Sequence, residues 1–584
     1  MAIFWYMYYP IMASLIGKRK KKKTYYYVVE SARVNGRPRI VHQSYLGSAE
    51  KVAALVQDRT APLPLSASRR ELGLPGALWL AAQQSGVFAL LQSLWGQPRS
   101  GPSPAHYLLL AAFHRLAAPG PKTEVADWYR QTVLHPLWGF PPDRFSAQSF
   151  WDCFEQLCPE KEAAAQSEEG DPLEEAQRQL LGLWKEQQLV SRRLLAYDTT
   201  NFHTFIATAN TRNTLAQRGH NKQGRHNLRQ IGLSYVLDGE HGWSLCHHVY
   251  PGNVADVEEF PVALERILRL LDRNQIARDT VTLVFDKGTA ALANTLLLRE
   301  AGLGWVSALP WNHVPVEFRQ RPVEQLPSLS SAQPGIRAGA EKLLVHGEES
   351  LCVLKYSASF ATQQLQSLST SLSKVVQALK RLAGEIARPG CRLTEAGIRT
   401  KISRWLSAPF LAELVHYQLD QEPQGRRLQF QVDHAALQHL LTHRLGRTLV
   451  VTNHLDWTAE QVVAAYGGQQ QIERVFRGLK DGDWLNWQPM HHWTDSKIRI
   501  HAFYCLLGLS LLHYVQRQAQ TFWPQVTVEK LQEELEQIQQ FVLLYPPQGP
   551  GPHRVATVAS YQGLFQKGLA ETLGLDRLGS TRRR

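Results

Sequence analysis

The sequence predicts an α/β protein: a sheet-and-helix core interrupted by a long α+β insertion, with a basic β-hairpin and a helical region before it. Three observations predict this. Between 194 and 309, short apolar strand runs and helical periodicity alternate in a definite order. From 311 to 446 that order stops, and a strand followed by a helix resumes it after 447. Ahead of the core, 24–47 alternates around Asn35-Gly36, the strongest short hairpin signal, and 76–190 consists mostly of apolar helical stretches.

Taken in order, LLAYDTT (194–200) reads as a buried strand ending in a polar cluster. QIGLSYVL and WSLCHHVY flank the turn Asp238-Gly239-Glu240-His241-Gly242 and form a second hairpin. VEEFPVALERILRLLDRN (257–274) is helical, VTLVFD (281–286) is a buried strand, TAALANTLLLREAG is a helix ending at Gly302, and LGWVSALP is a further strand. Three strands, a helix, a strand and a helix is the order of a ribonuclease-H-like core. In the insertion, Leu365, Leu368, Leu372, Val375, Leu379, Leu382 and Ile386 recur at steps of three and four. This seam suits a dimer coiled coil or packing within the chain. Pro389-Gly390 ends it, LTEAGIRTKISRWL starts another helix, and RRLQFQVDHAAL (426–437) returns to strand character. TLVVTN (448–453) is a strand, and a helix starts near Thr458. Gly467-Gly468 costs that helix about 1 kcal/mol per glycine, so a break is expected there. KIRIHAFYCLLGLSLLHYVQRQ (497–518) is apolar around most of its girth but carries charges and His, which makes it a buried helix, not a membrane span.

The expected division is 1–11, a mis-assigned start with translation beginning at Met12; 12–75, the basic hairpin region; and 76–185, a helical DNA-end-binding region. The core occupies 186–310 and 447–520, around an insertion at 311–446, and 521–584 forms a C-terminal region. The 584 residues carry a formal net charge of +13, which favours a polyanionic partner. Six scattered cysteines form neither a zinc motif nor a disulfide framework and suit a reducing cytoplasm.

Asp198 and Asp286 each close a short apolar strand. Carboxylates there suit Mg²⁺ or Mn²⁺, and two such ions activate a water or 3′-hydroxyl against a phosphodiester. Taken singly, either aspartate is also an ordinary strand or turn cap. Tyr466, Gln469, Glu473 and Lys480 fall within roughly a 60° arc of one helix face. An aromatic, an amide, a carboxylate and a cation in one stripe suit a metal-ligating helix lying along DNA, with Arg474 and Arg477 on neighbouring faces. Gly219, His220, Asn221, Lys222, Arg225, His226 and Arg229 form a polar, basic cluster before a strand, suited to DNA contact. His247-His248 reads as one inward and one outward side chain on a strand; His491-His492 is undecided.

The stripe resembles the Y-x2-R-x3-E-x6-K signature of bacterial insertion-sequence DDE transposases, with Gln469 where the signature has arginine. The order Asp198, Asp286, long insertion, Glu473 is similar to that family. So are TYYYVVESARVNGRPRIVHQSYLG, RGHNKQGRHNLRQIGLSYVL and PGNVAD (251–256). The resemblance spans about 12–515. It implies a ribonuclease-H-like core with two divalent ions held by Asp198, Asp286 and Glu473. It also implies cleavage at terminal inverted repeats and strand transfer into target DNA, by a cytoplasmic, nucleoid-associated homodimer on paired ends. Tyr466, Gln469, Arg477, Lys480, Lys222, Arg225 and Arg229 would contact DNA. Trp305 is either a base-stacking residue or a core tryptophan. A nuclease without strand transfer, or an inactive DNA-binding derivative, would share these carboxylates.

Overall fold

The computed structural model describes residues 12–579, apart from 21–22, 35–36, 52–62, 160–169, 192, 220–224, 226, 289–290, 330–334, 389–390, 423–424, 482–486, 488–489, 548–550 and 562. Two compact units result. The smaller holds β1 (Met12–Lys20), β2 (Lys23–Val34) and β3 (Arg37–Ser48) as an antiparallel sheet in that order. β2 and β3 are the two strands read around Asn35-Gly36, a dipeptide outside the described residues. β1 pairs with β2 from Met12↔Ser31 to Lys20↔Lys23, so the residues ahead of the expected hairpin supply a third strand. Tyr27 and Tyr45 pack with ring centroids 5.2 Å apart, and Lys18 sits 5.1 Å from the Tyr27 centroid. Also in this unit, β4 (Ser66–Glu71) joins the C-terminal strands Gln539–Tyr545 and Arg554–Ser560 in a second three-stranded sheet.

The larger unit is built on an eight-stranded mixed sheet. Its strands are β5 (Leu194–Thr204), β6 (Arg229–Asp238), β7 (Ser244–Pro251), β8 (Thr282–Phe285), β9 (Gly304–Ala308), β10 (Ile336–Val345), β11 (Glu348–Ser357) and β14 (Arg447–Thr452), in the order β10-β11-β14-β9-β8-β5-β6-β7. Only β5–β8 and β8–β9 pair in parallel among the described pairings. The central strands are apolar on both sides because both faces are covered. On one face, Phe260 of the helix Asp256–Arg273 meets Tyr197 and Phe285. On the other, Val462, Val463 and Ala465 cluster with Val284, Val306 and Val450.

β10 and β11 fall inside 311–446, the segment expected to stand apart as an insertion, yet β11 pairs with β14 and extends the sheet. Their turn is His346-Gly347, both at positive φ, which matches the twist of a two-residue hairpin. The segment that leaves the sheet therefore starts at Ala358. It comprises the helices Ala358–Ile386, Glu395–Trp405 and His434–His443 and the hairpin β12 (Val415–Glu422) with β13 (Gly425–Val432). Leu368, Val375, Leu379, Leu382 and Ile386 are buried there against Ile398, Ile402, Leu414 and Leu440. Most of the heptad seam is thus covered within the chain; Leu365 is 43% exposed.

The helix Asp495–Gln520 packs against Gly73–Gln84 and Pro104–Ala117. It is long and apolar enough to cross a membrane, but 83% of its apolar window is buried inside the protein. At this contact Lys122 and Arg115 are buried. Lys122 Nζ donates to the Tyr504 hydroxyl at 3.1 Å, and His501 bridges Tyr504 (2.5 Å), His492 (3.0 Å) and the Trp487 carbonyl (3.1 Å). Burial, followed by the Arg115 charge, lowers the Lys122 ammonium to about 7.

Candidate active site

The geometry starts from strand register. β5 is longer than expected: it continues past Asp198 to Thr204, because 199–204 pair with β6, and Asp198 lies opposite Tyr235 in mid-strand. Along the parallel β5–β8 pair the partners are Leu194↔Thr282, Leu195↔Leu283 and Ala196↔Val284. Two residues further on, the same register brings Asp198 level with Asp286, the exposed residue just beyond the end of β8. Neighbouring strands lie about 4.8 Å apart and alternate residues share a face. Both carboxylates therefore rise on the face of Ala196 and Val284, which the helix Ala459–Tyr466 covers.

Thr458 caps that helix by accepting from Gln461 N, and the Gln461 side chain reciprocates at Thr458 N. Gly467-Gly468 divides the expected single helix into Ala459–Tyr466 and Gln469–Lys480. A Cβ at Gly468 would lie 3.2 Å from the Gly239 backbone, so the break lets the helix approach the β6–β7 turn. Gln469, expected on a DNA-facing stripe, is 4% exposed and its Nε2 donates to the Tyr197 carbonyl at 3.5 Å. In this conformation it fastens the helix to β5 and does not face solvent. Glu473, Arg474, Arg477 and Lys480 are exposed. Lys480 Nζ donates to the Thr200 hydroxyl and lies 5.6 Å from the Phe202 ring centroid.

Tyr466 ties the three carboxylates together. Burial raises its phenol well above the ordinary value, and the charges of Asp286, Glu473 and Asp198 raise it further. One hydroxyl therefore senses all three, although among the described residues no three His, Cys, Asp or Glu side chains are gathered closely enough to hold a metal ion. Asp198, Thr200, Asn201, Glu473 and Lys480 line an open cleft of about 470 Å³.

The cleft's other wall is 252–256, including Asn253 and Asp256. Residue-by-residue reading gave these no role, although the spacing of PGNVAD was the available signal. Tyr250 donates to Asp256 at 3.2 Å. A Cβ on Gly252 would stand 1.9 Å from the Gln230 carbonyl oxygen, and one on Gly219 2.2 Å from the Gly252 oxygen. The start of the basic loop is thereby pressed onto β6, with Gln217 and Gln230 exchanging backbone hydrogen bonds of 2.9 and 2.8 Å. His220, Asn221, Lys222 and His226 lie outside the described residues. Arg225 is exposed. Arg229 donates to the Asn210 and Thr208 carbonyls at 2.9 and 2.6 Å, which commits its guanidinium to a loop.

Trp305 is 6% exposed within β9, and its backbone N–H donates to Asn453 Oδ1, so it is a core tryptophan here. His248 meets Glu259 at 2.8 Å, while His247 is half-buried on the opposite side of β7 toward Phe503, and desolvation lowers it to about 3. His491 is exposed beside Phe205, whereas His492 is half-buried and lowered by desolvation to about 3.

Residues 191–511 match the family model described as the transposase DDE domain. No curated protein matches the chain. Among solved structures, the piggyBac transposase synaptic complex with hairpin DNA is similar over 81% of this chain and 82% of that chain, at 10% identity and a TM-score of 0.35.

Proposed function

The chain belongs to the DDE-domain transposases, and from that premise we propose that it is an insertion-sequence transposase acting through Asp198, Asp286 and Glu473. The reading is that it cleaves DNA at terminal inverted repeats and joins the freed 3′ end to target DNA. The observation that carries it is the β5–β8 register, which sets Asp198 level with Asp286 under the helices that bear Tyr466 and Glu473. The order β5-β6-β7, helix, β8, helix, β9 supports a ribonuclease-H-like core.

The donor set is three carboxylates, which suits hard divalent cations. Drawn closer together than they stand here, Asp198, Asp286 and Glu473 would hold two Mg²⁺ or Mn²⁺ ions, which would supply an activated water or 3′-hydroxyl and stabilise the leaving oxygen. Around them the chain supplies position and charge. Lys480, fixed by Thr200, and Arg477 present cations to the phosphodiester beside Glu473. Tyr466 stays protonated and offers its hydroxyl as a donor. Lys222 and Arg225 would reach DNA from the loop after Gly219. The protein would act in the cytoplasm at the nucleoid, as a homodimer holding two DNA ends. A pre-cleaved transposon end with Mg²⁺ and a plasmid target provides the test: joined product is expected, and nicking alone would reduce the protein to a nuclease.

A further inference from the structure

The helix Gln469–Lys480 separates two hollows. One is the active-site cleft, reached by Glu473, Phe476 and Lys480. Behind it lies a second cleft of about 480 Å³, lined by Gln471, Arg474, His513, Gln516, Gln520 and Gln525. At about 100° per residue, Arg477 lies roughly 40° round the helix from Glu473 and Arg474 roughly 100° round in the same sense. All three are exposed, so a ridge bearing two cations leads from the carboxylates to the second cleft.

The lining of that cleft is mixed, with Val475, Pro524, Val526 and Val528 between polar side chains that are only partly engaged. Gln516 and Gln520 each donate their amide nitrogen to the Val526 carbonyl, at 3.0 and 3.4 Å, which holds the wall and leaves both amide oxygens as acceptors. The side chains of Arg474 and Gln471 make no hydrogen bond or ion pair among the described residues. The Nδ1 of His513 is buried and unpartnered, and burial lowers this imidazole to about 4, so it is neutral. His241 and the carboxylate Glu529 also face the space. A simple anion would need donors only. A cation beside amide acceptors matches a ligand that alternates phosphate with base edges, where glutamine reads donor–acceptor pairs.

We propose that this second cleft takes the DNA strand after it crosses the Glu473–Arg477–Arg474 ridge, with Arg474 on a phosphate and Gln471 and Gln520 on base edges. The inference rests on the transposase reading, and its test separates the two. The probe is a fluorescein-labelled, mixed-sequence 20-nucleotide single-stranded DNA carrying 4-thiothymidine, bound to the full chain between 50 and 200 mM KCl. The wild-type protein should crosslink within 513–529. Arg474→Ala should weaken binding about tenfold and lower the salt slope by about one. Gln520→Glu, which keeps the shape but adds a negative charge, should also weaken binding, and Gln520→Lys should strengthen it. If these variants bind like wild type and no crosslink falls in 513–529, while Lys480→Ala still weakens binding, the second cleft is refuted and the transposase reading stands. If the wild-type chain binds no DNA, both fail.

Discussion

In the metal-free protein Tyr466 keeps its proton, because burial and then the charges of Asp286, Glu473 and Asp198 oppose the phenolate. In the metal-free protein, Tyr466→Phe should therefore leave the ultraviolet-monitored phenol titration near pH 10 unchanged; loss of one ionising phenol in the variant would contradict the assignment. Gln469 and Lys480 separate packing from DNA contact. Gln469→Ala should cost about 1–3 kcal/mol in urea unfolding and leave the salt slope of DNA binding unchanged. Lys480→Ala should lower that slope by about one with little effect on unfolding. The spacing Tyr466, Gln469, Glu473, Lys480 was legible as one stripe. Which way the stripe turns was not, since periodicity states which residues share a face but not what lies opposite. Gln469 sits on the edge of that stripe nearest Tyr197 and is drawn inward by its carbonyl.

At the scale of elements, β5 to β9 were legible because each is a short apolar run bounded by turn residues. β10 and β11 were missed because Glu341, Lys342, Glu348 and Glu349 interrupt their apolar pattern, and His346-Gly347 is a weaker hairpin signal than Asn-Gly. The heptad spacing was legible, but its partner was not: the covering residues come from Glu395–Trp405 and 411–440. Leu379→Ala should cost about 2–5 kcal/mol of stability by unfolding and leave the sedimentation coefficient of the folded protein unchanged. The helical region and Asp495–Gln520 meet around buried Lys122. Its folded value, about 7, lies below the ordinary 10.5, so the unfolded chain binds the extra proton between those values. Stability should rise as pH increases from about 7 toward 10.5, with the full penalty present below 7. Lys122→Met should flatten that rise in urea midpoints at pH 6, 7.5 and 9, and should be more stable than wild type at pH 6. An unchanged slope would mean that Lys122 is not the titrating group.

At the scale of the whole molecule, a net charge of +13 and a family match over 191–511 support DNA as the partner. On the proposed reading, three carboxylates, from a mid-strand position, a strand end and a helix, act together on a phosphodiester. It is tested most directly with a duplex carrying the inverted repeat that borders the gene, incubated with Mg²⁺ and either wild-type protein or Asp286→Ala. Cleavage at the repeat's end by wild type is expected, with a fall of roughly a hundredfold or more in the variant at undiminished DNA binding. Equal cleavage by the two proteins, or cleavage by wild type that persists in EDTA, would contradict it.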